Sequence, residues 1–440
     1  MVTDLNFPPG PRVGAFGLDF IARFKADALK SAMELRRTYG DFVHVKAGPY
    51  HWFMFNHPDQ VKDVLVTGAK VFSKTDMFKR VLRSVDGNGL IVSEGDFWLR
   101  QRRTINPAFS HASMAGYART MLEETERYIS RWEPGMTLDL ADEMTRLTLT
   151  IAARLFFNAD VSKDAQELGD AVTVISRTML QEFYELLPVP DWIPLPSKIA
   201  KRNAIAKIDR LIYDSMAARK KQQEQSNDVL SMLMRARDTD GDGEGMSELQ
   251  IRDEAITLFN AGHDSTAAGL SWAWYLLLKN PDVYDRLISD TAPTSEPPSI
   301  AAQVSKEALR LYPPAWTLPR QSTVDTEIGG YNIPAGSLLN FFPYVIHRDA
   351  RFFDQPDQFK PERFADENEP KLHPFSYFPF GTGHRACIGK EMALTEMNVV
   401  LTAVSKRFRL ELLPEQGEIE PVPLISLEQK VGVKAIVRAR

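Results

Sequence analysis

The chain predicts a mainly α-helical protein with a smaller β portion, and three observations predict it. Helical periodicity dominates from about Trp98 to Phe157. Ser247 and Gln250 form a capping-box pattern that should start a long helix, and Asn280-Pro281 should stop it. Strand-like runs are confined to short pieces near 40–70, 315–345 and 410–440. We expect residues 1–440 to form a single domain.

In chain order, the N-terminal "MVTDLNFPPGPRVG" is polar and proline-rich, with no apolar signal core. "DFVHVKAG" and "HWFMFN" read as strands joined by a turn at Gly48-Pro49. The helical stretch to Phe157 is followed by a proline cluster, "LLPVPDWIPLP", at 186–196, and by a further helix through about Arg219. "RDTDGDGEG" is a loop. Its Asp238, Asp240, Asp242 and Gly243 have EF-hand spacing, but Leu249 stands where the bidentate glutamate belongs, so a solvated acidic turn is expected and calcium is not. The longest apolar run, Gly269 to Leu278, is about half of the ~20 residues that span a bilayer, so it reads as a buried helix. The last third holds a helix ending at "RLYPP", strand-like pieces, a proline-rich meander and a helix after Cys387.

Charge and cysteine content exclude several functions. A net charge of −5 gives no reason to expect nucleic-acid binding, which needs a basic stripe. A single cysteine excludes an internal disulfide and any Cys-based zinc or iron–sulfur site. A reduced, cytoplasmic setting is the expectation.

That cysteine, Cys387, lies in "FGTGHRACIG", residues 380–389. A lone cysteine is ordinarily a small buried hydrophobe. Gly381, Gly383 and Gly389 instead make the backbone compact and able to approach something closely. The helical pattern that follows puts Cys387 at a helix N-terminus, where N–H groups and the helix dipole stabilise a thiolate. Such a thiolate is a nucleophile or a metal ligand. His384 is the nearest base for the first role. As a single-cysteine ligand it would need its partners from elsewhere, such as a porphyrin.

The stretch resembles the haem-binding signature of the cytochromes P450, with Phe380, Gly383, Arg385, Cys387 and Gly389 at its fixed positions. The resemblance continues in "EALR" (Glu307, Arg310), "PERF" (Pro361 to Phe364), "AGHDST" (Ala261 to Thr266), "WLRQRR" (Trp98, Arg102) and "FPPGPR". It implies the P450 fold and haem b (iron protoporphyrin IX), with Cys387 as the iron ligand; cysteine ligation of this kind favours O–O cleavage. It implies that Arg102, Arg320 and Arg385 serve the propionates with Trp98 as an N–H donor, that Ala261, Phe380, Gly381 and Gly389 line the cofactor, and that Glu307, Arg310 and Arg363 form a buried scaffold. His347 matches a frequent family histidine, with packing or a further role both open.

Gly262, Asp264, Ser265 and Thr266 are poor choices for the middle of an ordinary buried helix, and predict a kink there. Asp264 and Ser265 then form an acid–alcohol pair able to pass protons, with Ser265 where most of the family has threonine. Leu90, Ile91, Asn260, Ala261, Ala315, Trp316 and Leu318 are the substrate-pocket candidates, and 177–196 a lid. The resemblance implies a monooxygenase acting on a hydrophobic small molecule, terpenoid or fatty-acid-like, with O2 as co-substrate. A haem-thiolate sensor or electron carrier is the alternative. No dinucleotide fingerprint or flavin domain is visible, so electrons should come from a ferredoxin or flavodoxin with its reductase. Arg100, Arg103 and Lys390 are docking candidates for it, and a monomer without a membrane span is expected.

Overall fold

The computed structural model describes residues 6–158, 165–183, 185, 189–221, 227–290 and 299–440. They gather into two compact units: Met1–Asp76 with Lys306–Cys387, and Met77–Ser305 with Ile388–Arg440.

The first unit is built on a five-stranded sheet. Phe42–Ala47 and Tyr50–Phe55 form the expected antiparallel hairpin, closed through Ala47↔Tyr50 around Gly48-Pro49. Tyr50–Phe55 then pairs in parallel with Leu338–Phe341, which pairs antiparallel with Leu318–Ser322; Phe72–Ser73 completes the edge. The two-residue period of these strands puts Phe53, Phe55, Leu339 and Phe341 into one core with Val64, Leu65 and Phe378, so apolar burial fixes the register. Leu65 and Phe378 matter for the site, since each leads directly to the cysteine loop.

The second unit is mostly helical. Its central element is the helix Glu248–Lys279, started by the reciprocal capping box of Ser247 and Gln250. Nearly every residue from Ile251 to Leu277 is buried, against Leu140–Phe157 among others, which is why the run Gly269 to Leu278 is apolar all round. The helix is unbroken at Gly262–Thr266, contrary to the expected kink. Ser265 and Thr266 donate their hydroxyls to Ala261 O and Gly262 O, both at 2.8 Å, and the ladder accommodates these back-bonds.

The stretch expected to be helical around 98–157 resolves into Gly95–Ile105, His111–Ile129 and Leu140–Phe157. Between the last two lies an unforeseen strand, Thr137–Asp139, paired with Lys434–Ala439, which also pairs with Phe408–Leu412. Of the expected lid, 177–183 belongs to the helix Ala165–Phe183 and Pro196 opens the helix Pro196–Lys221; residues 184 and 186–188 lie outside the described residues. No helix among the described residues is long and apolar enough to cross a membrane.

Candidate active site

Cys387 is exposed, at the end of a loop held by backbone bonds: its N–H donates to Phe380 O at 2.9 Å, and Gly381 N–H donates to Phe378 O at 2.9 Å. Gly383 has φ +70°, and a methyl group there would collide with the carbonyl of Leu65, so only glycine lets the loop lie against that core element. Three residues after the cysteine the helix Lys390–Arg407 begins. Leu318 packs beside Gly381, and Arg320 lies two residues along the same strand, on the same face. The loop therefore carries an accessible thiol with Arg320 and Arg385 as the cations of its own unit.

The first unit braces this loop from behind. Glu307 and Arg310 are fully buried. Arg310 Nε and Nη2 donate to Glu307 Oε2 and Oε1 at 2.7 and 2.8 Å; Arg363 Nε and the Lys360 N–H add to Oε1 at 3.3 and 2.8 Å. Arg310 Nη1 also donates to His347 O, and His347 Nδ1 returns a bond to Arg310 O at 3.1 Å. The other ring nitrogen, Nε2, accepts from the Phe378 N–H at 3.0 Å. These bonds join the ion network to the segment that starts the cysteine loop. Burial, and then the Arg310 charge, push the His347 imidazole down to about 3, so it stays neutral and acts as a spacer.

In the second unit, between Ile251 and Leu277 the burial of the long helix lapses only at residues 260–262, 264 and 265, and Ala261 is exposed. Ser265 lies in this window, whereas Thr266 is buried at 3 % exposure. Asp264 turns to the C-terminal hairpin, where Ser426 Oγ donates to its Oδ2 at 2.8 Å, instead of to Ser265 as expected. Asn260 Nδ2 donates to Asp86 Oδ1 at 3.3 Å. Trp98 is buried and Arg102 half-buried on one face of Gly95–Ile105.

Of the pocket candidates, Leu90 and Trp316 are buried: the Leu90 N–H donates to Glu254 Oε2 at 2.9 Å, and Trp316 packs on Phe342 with ring centroids 6.1 Å apart. Ile91, Ala315 and Leu318 are half-buried. Arg100 and Arg103 are paired with acids. Arg103 donates to Asp238 at 2.7 and 3.0 Å, and Arg100 Nε to Asp242 at 3.1 Å. The acidic turn thus spends carboxylates on arginines, and no cluster able to hold a metal ion occurs among the described residues.

Sequence reasoning missed a set of buried acids along the long helix. Glu254 accepts from Leu90 N–H and from Gln101 Nε2 at 3.0 Å. Asp253 accepts from Asn88 N–H at 2.8 Å and from Arg252. Burial pushes Asp86 up to about 7, with Asn260 and Arg252 opposing, and pushes Glu254 up to about 7. The signal for two of them was in "IRDEAI", charged residues inside an otherwise buried helix.

Comparison with known proteins matches the family model "Cytochrome P450" to residues 8–433. "Cyclooctatin synthase" of Streptomyces melanosporofaciens is 35% identical over 404 residues, covering 88% of this chain and 87% of its own. "Cyclooctat-9-en-7-ol 5-monooxygenase" of the same organism is 31% identical, covering 86% of this chain and 84% of its own. "Pentalenene oxygenase" of Streptomyces avermitilis is 29% identical, covering 91% of each.

Proposed function

This chain belongs to the cytochrome P450 family and is a haem-dependent monooxygenase, and from that premise we propose that it inserts one oxygen atom from O2 into a terpenoid, with electrons from a separate ferredoxin or flavodoxin. The observation that carries the reading is Cys387: a lone, exposed thiol on a loop braced by an ion network and followed by a helix. Such a donor set fits a haem, which needs a thiolate, close backbone and cationic partners for two carboxylates. In this reading Cys387 would hold the iron, Arg102, Arg320 and Arg385 with Trp98 would hold the propionates, and Ala261, Phe380, Gly381 and Gly389 would line the cofactor. When bound, a thiolate-ligated haem supplies the activation of dioxygen for C–H hydroxylation.

The protein's own side chains position, dry and deliver protons. Ser265 gives its proton to Ala261 O, so its lone pairs are what it offers to the site, as an acceptor that holds water. Asp264, its Oδ2 fixed by Ser426, would hold and pass a proton at its other oxygen. Asn260, with its amide N–H committed to Asp86, presents its oxygen to a substrate hydroxyl. Relatives named for cyclooctat-9-en-7-ol and pentalenene favour a terpenoid over a fatty acid. Lys390, exposed and 3.7 Å from the likewise exposed Glu391, remains a docking candidate beside Arg100 and Arg103, which the acidic turn holds.

The test is the ferrous–CO spectrum of wild type and Cys387→Ala, with a terpenoid panel including cyclooctat-9-en-7-ol followed by haem spin shift. Wild type should give the strongly red-shifted thiolate band, and Cys387→Ala should lose it together with product. A variant that keeps both overturns the assignment.

A further inference from the structure

The C-terminal hairpin brings a second carboxyl to Asp264. Leu427–Gln429 pairs with Pro421–Pro423 through Val422↔Glu428, and two bonds pin this hairpin to the long helix. Trp272 Nε1 donates to Leu427 O at 2.8 Å, and Ser426 Oγ donates to Asp264 Oδ2 at 2.8 Å. Glu428 is two residues beyond Ser426, in the strand Leu427–Gln429 that follows the anchoring turn, and is half-buried. Burial, and after it the negative charge of Asp264, push its carboxyl up to about 7. The hairpin's own cation, Lys430, is turned away to Glu420 at 2.6 Å, and the facing strand offers only Val422 and prolines.

An anchor needs no second acid, since Trp272 and Ser426 already pin the hairpin. Two carboxyls facing each other weaken the contact unless one stays protonated. Resting on the monooxygenase reading above, we propose that Glu428 is a positioning residue that reloads Asp264 with protons from solvent. The step is proton transfer alone: the Glu428 O–H bond breaks, an O–H bond forms on Asp264 at the oxygen Ser426 leaves open, and solvent returns a proton to Glu428. No electron moves.

The test uses the ferric holoenzyme and Glu428→Gln, which keeps the shape and removes the proton. Infrared difference spectra of wild type against Glu428→Gln, over a pH series, should show a protonated carboxyl stretch in wild type that titrates near 7. During turnover with a ferredoxin and its reductase, with and without cyclooctat-9-en-7-ol, hydrogen peroxide released per NADPH should rise. The loss of product per NADPH should be about tenfold, short of the ~10²–10⁴ lost with a directly reacting acid. The solvent isotope effect should grow, the CO spectrum should not change, and Glu428→Asp should restore part of the coupling. Ser426→Ala should uncouple in the same direction, and it tests the relay if the Gln variant fails to fold. Absence of the protonated band above pH 6, or wild-type peroxide per NADPH in Glu428→Gln, overturns the relay. Loss of the thiolate CO band in wild type would instead sink the underlying family chemistry, so the two failures are distinct.

Discussion

Glu307 and Glu254 are both glutamates on helices with no solvent exposure, one in each compact unit, yet their surroundings are opposite. Glu307 faces two guanidinium groups and a backbone N–H. Glu254 faces two neutral donors, Leu90 N–H and Gln101, with the acids Asp253 and Asp86 close by. The first carboxylate is paired and fixed, a strut behind the cysteine loop. The second is driven up to about 7, mainly by burial, and so trades its proton near neutrality. The comparison separates two jobs: the unit that presents the thiol uses buried charge as scaffold, and the unit that carries Asp264 keeps acids that hold protons.

The largest effect should come from breaking the scaffold. Glu307→Gln removes the counter-charge of two arginines, one of them fully buried, and breaking a buried pair costs roughly 3–5 kcal/mol. The urea midpoint should drop sharply and haem retention should fall with it, because His347 and Phe378 transmit the loss to the loop. A midpoint within error of wild type would show that the network is not a strut.

Gly383→Ala should come next. The φ of +70° imposes strain of order 1–3 kcal/mol on a non-glycine residue, and the collision with the Leu65 carbonyl adds to it. Gly381→Ala is the internal control, with a similar φ of +67° but only Leu318 at 4.0 Å, so it should lose less. Equal losses would mean that backbone strain alone, and not seating against Leu65, makes the loop.

These struts and relays were unequally legible in the sequence. The capping box at Ser247 and Gln250 is a local device, its two residues three apart, and the structure has it as read. Glu307 and Arg310 are three apart on one helix and could be paired from spacing, but His347 joins them from 37 residues away. The strand Thr137–Asp139 went unread because its partner, Lys434–Ile436, lies at the other end of the chain. The same reason hid Ser426 and Glu428: nothing beside them in sequence points to Asp264. The kink failed on energetics, because two hydroxyl back-bonds proved compatible with an intact helix. The partners of Arg100 and Arg103 went unread because the acidic turn that holds them lies well over a hundred residues on.

A smaller and more diffuse effect is expected in the pH dependence of stability. Asp86 and Glu254 titrate at about 7, Glu428 at about 7 and Glu396 at about 8, all raised first by burial. Each binds its proton more tightly folded than unfolded, so its contribution is fully present below about pH 4 and is lost as pH rises through 7 and 8. His44 and His347, lowered to about 4 and 3, have the opposite sign: their contribution is present above 6.5 and is lost as pH falls toward 4. Between about pH 4 and 6.5 the two sets oppose each other, and from 6.5 to about 8 only the carboxyls act, so melting temperature measured at constant ionic strength should decline across that upper window and level off above it. Each carboxyl changes stability by up to about 1.4 kcal/mol per pH unit between its unfolded and its folded midpoint. A flat melting temperature from pH 6.5 to 8 would contradict proton-holding acids in the second unit.

The smallest effect should be the substitution that looks most like the first, Glu254→Gln. If Glu254 already holds a proton for much of the time near neutrality, the amide replaces a neutral group of the same shape. Its oxygen can take the Leu90 N–H, and its NH2 can donate to Gln101 Oε1 after that amide rotates, giving up the 3.5 Å contact from Arg100 and the 3.6 Å contact to Met246 Sδ. One rearranged buried hydrogen bond costs about 1 kcal/mol or less, against several for Glu307→Gln. The variant should also remove its own share of the decline that ends near 7, so its melting temperature should draw level with wild type or pass it as pH rises from 5 to 7. Loss as large as that of Glu307→Gln, or a slope from pH 5 to 7 identical to wild type, would mean that Glu254 holds no proton near neutrality, and the contrast between the two units would collapse.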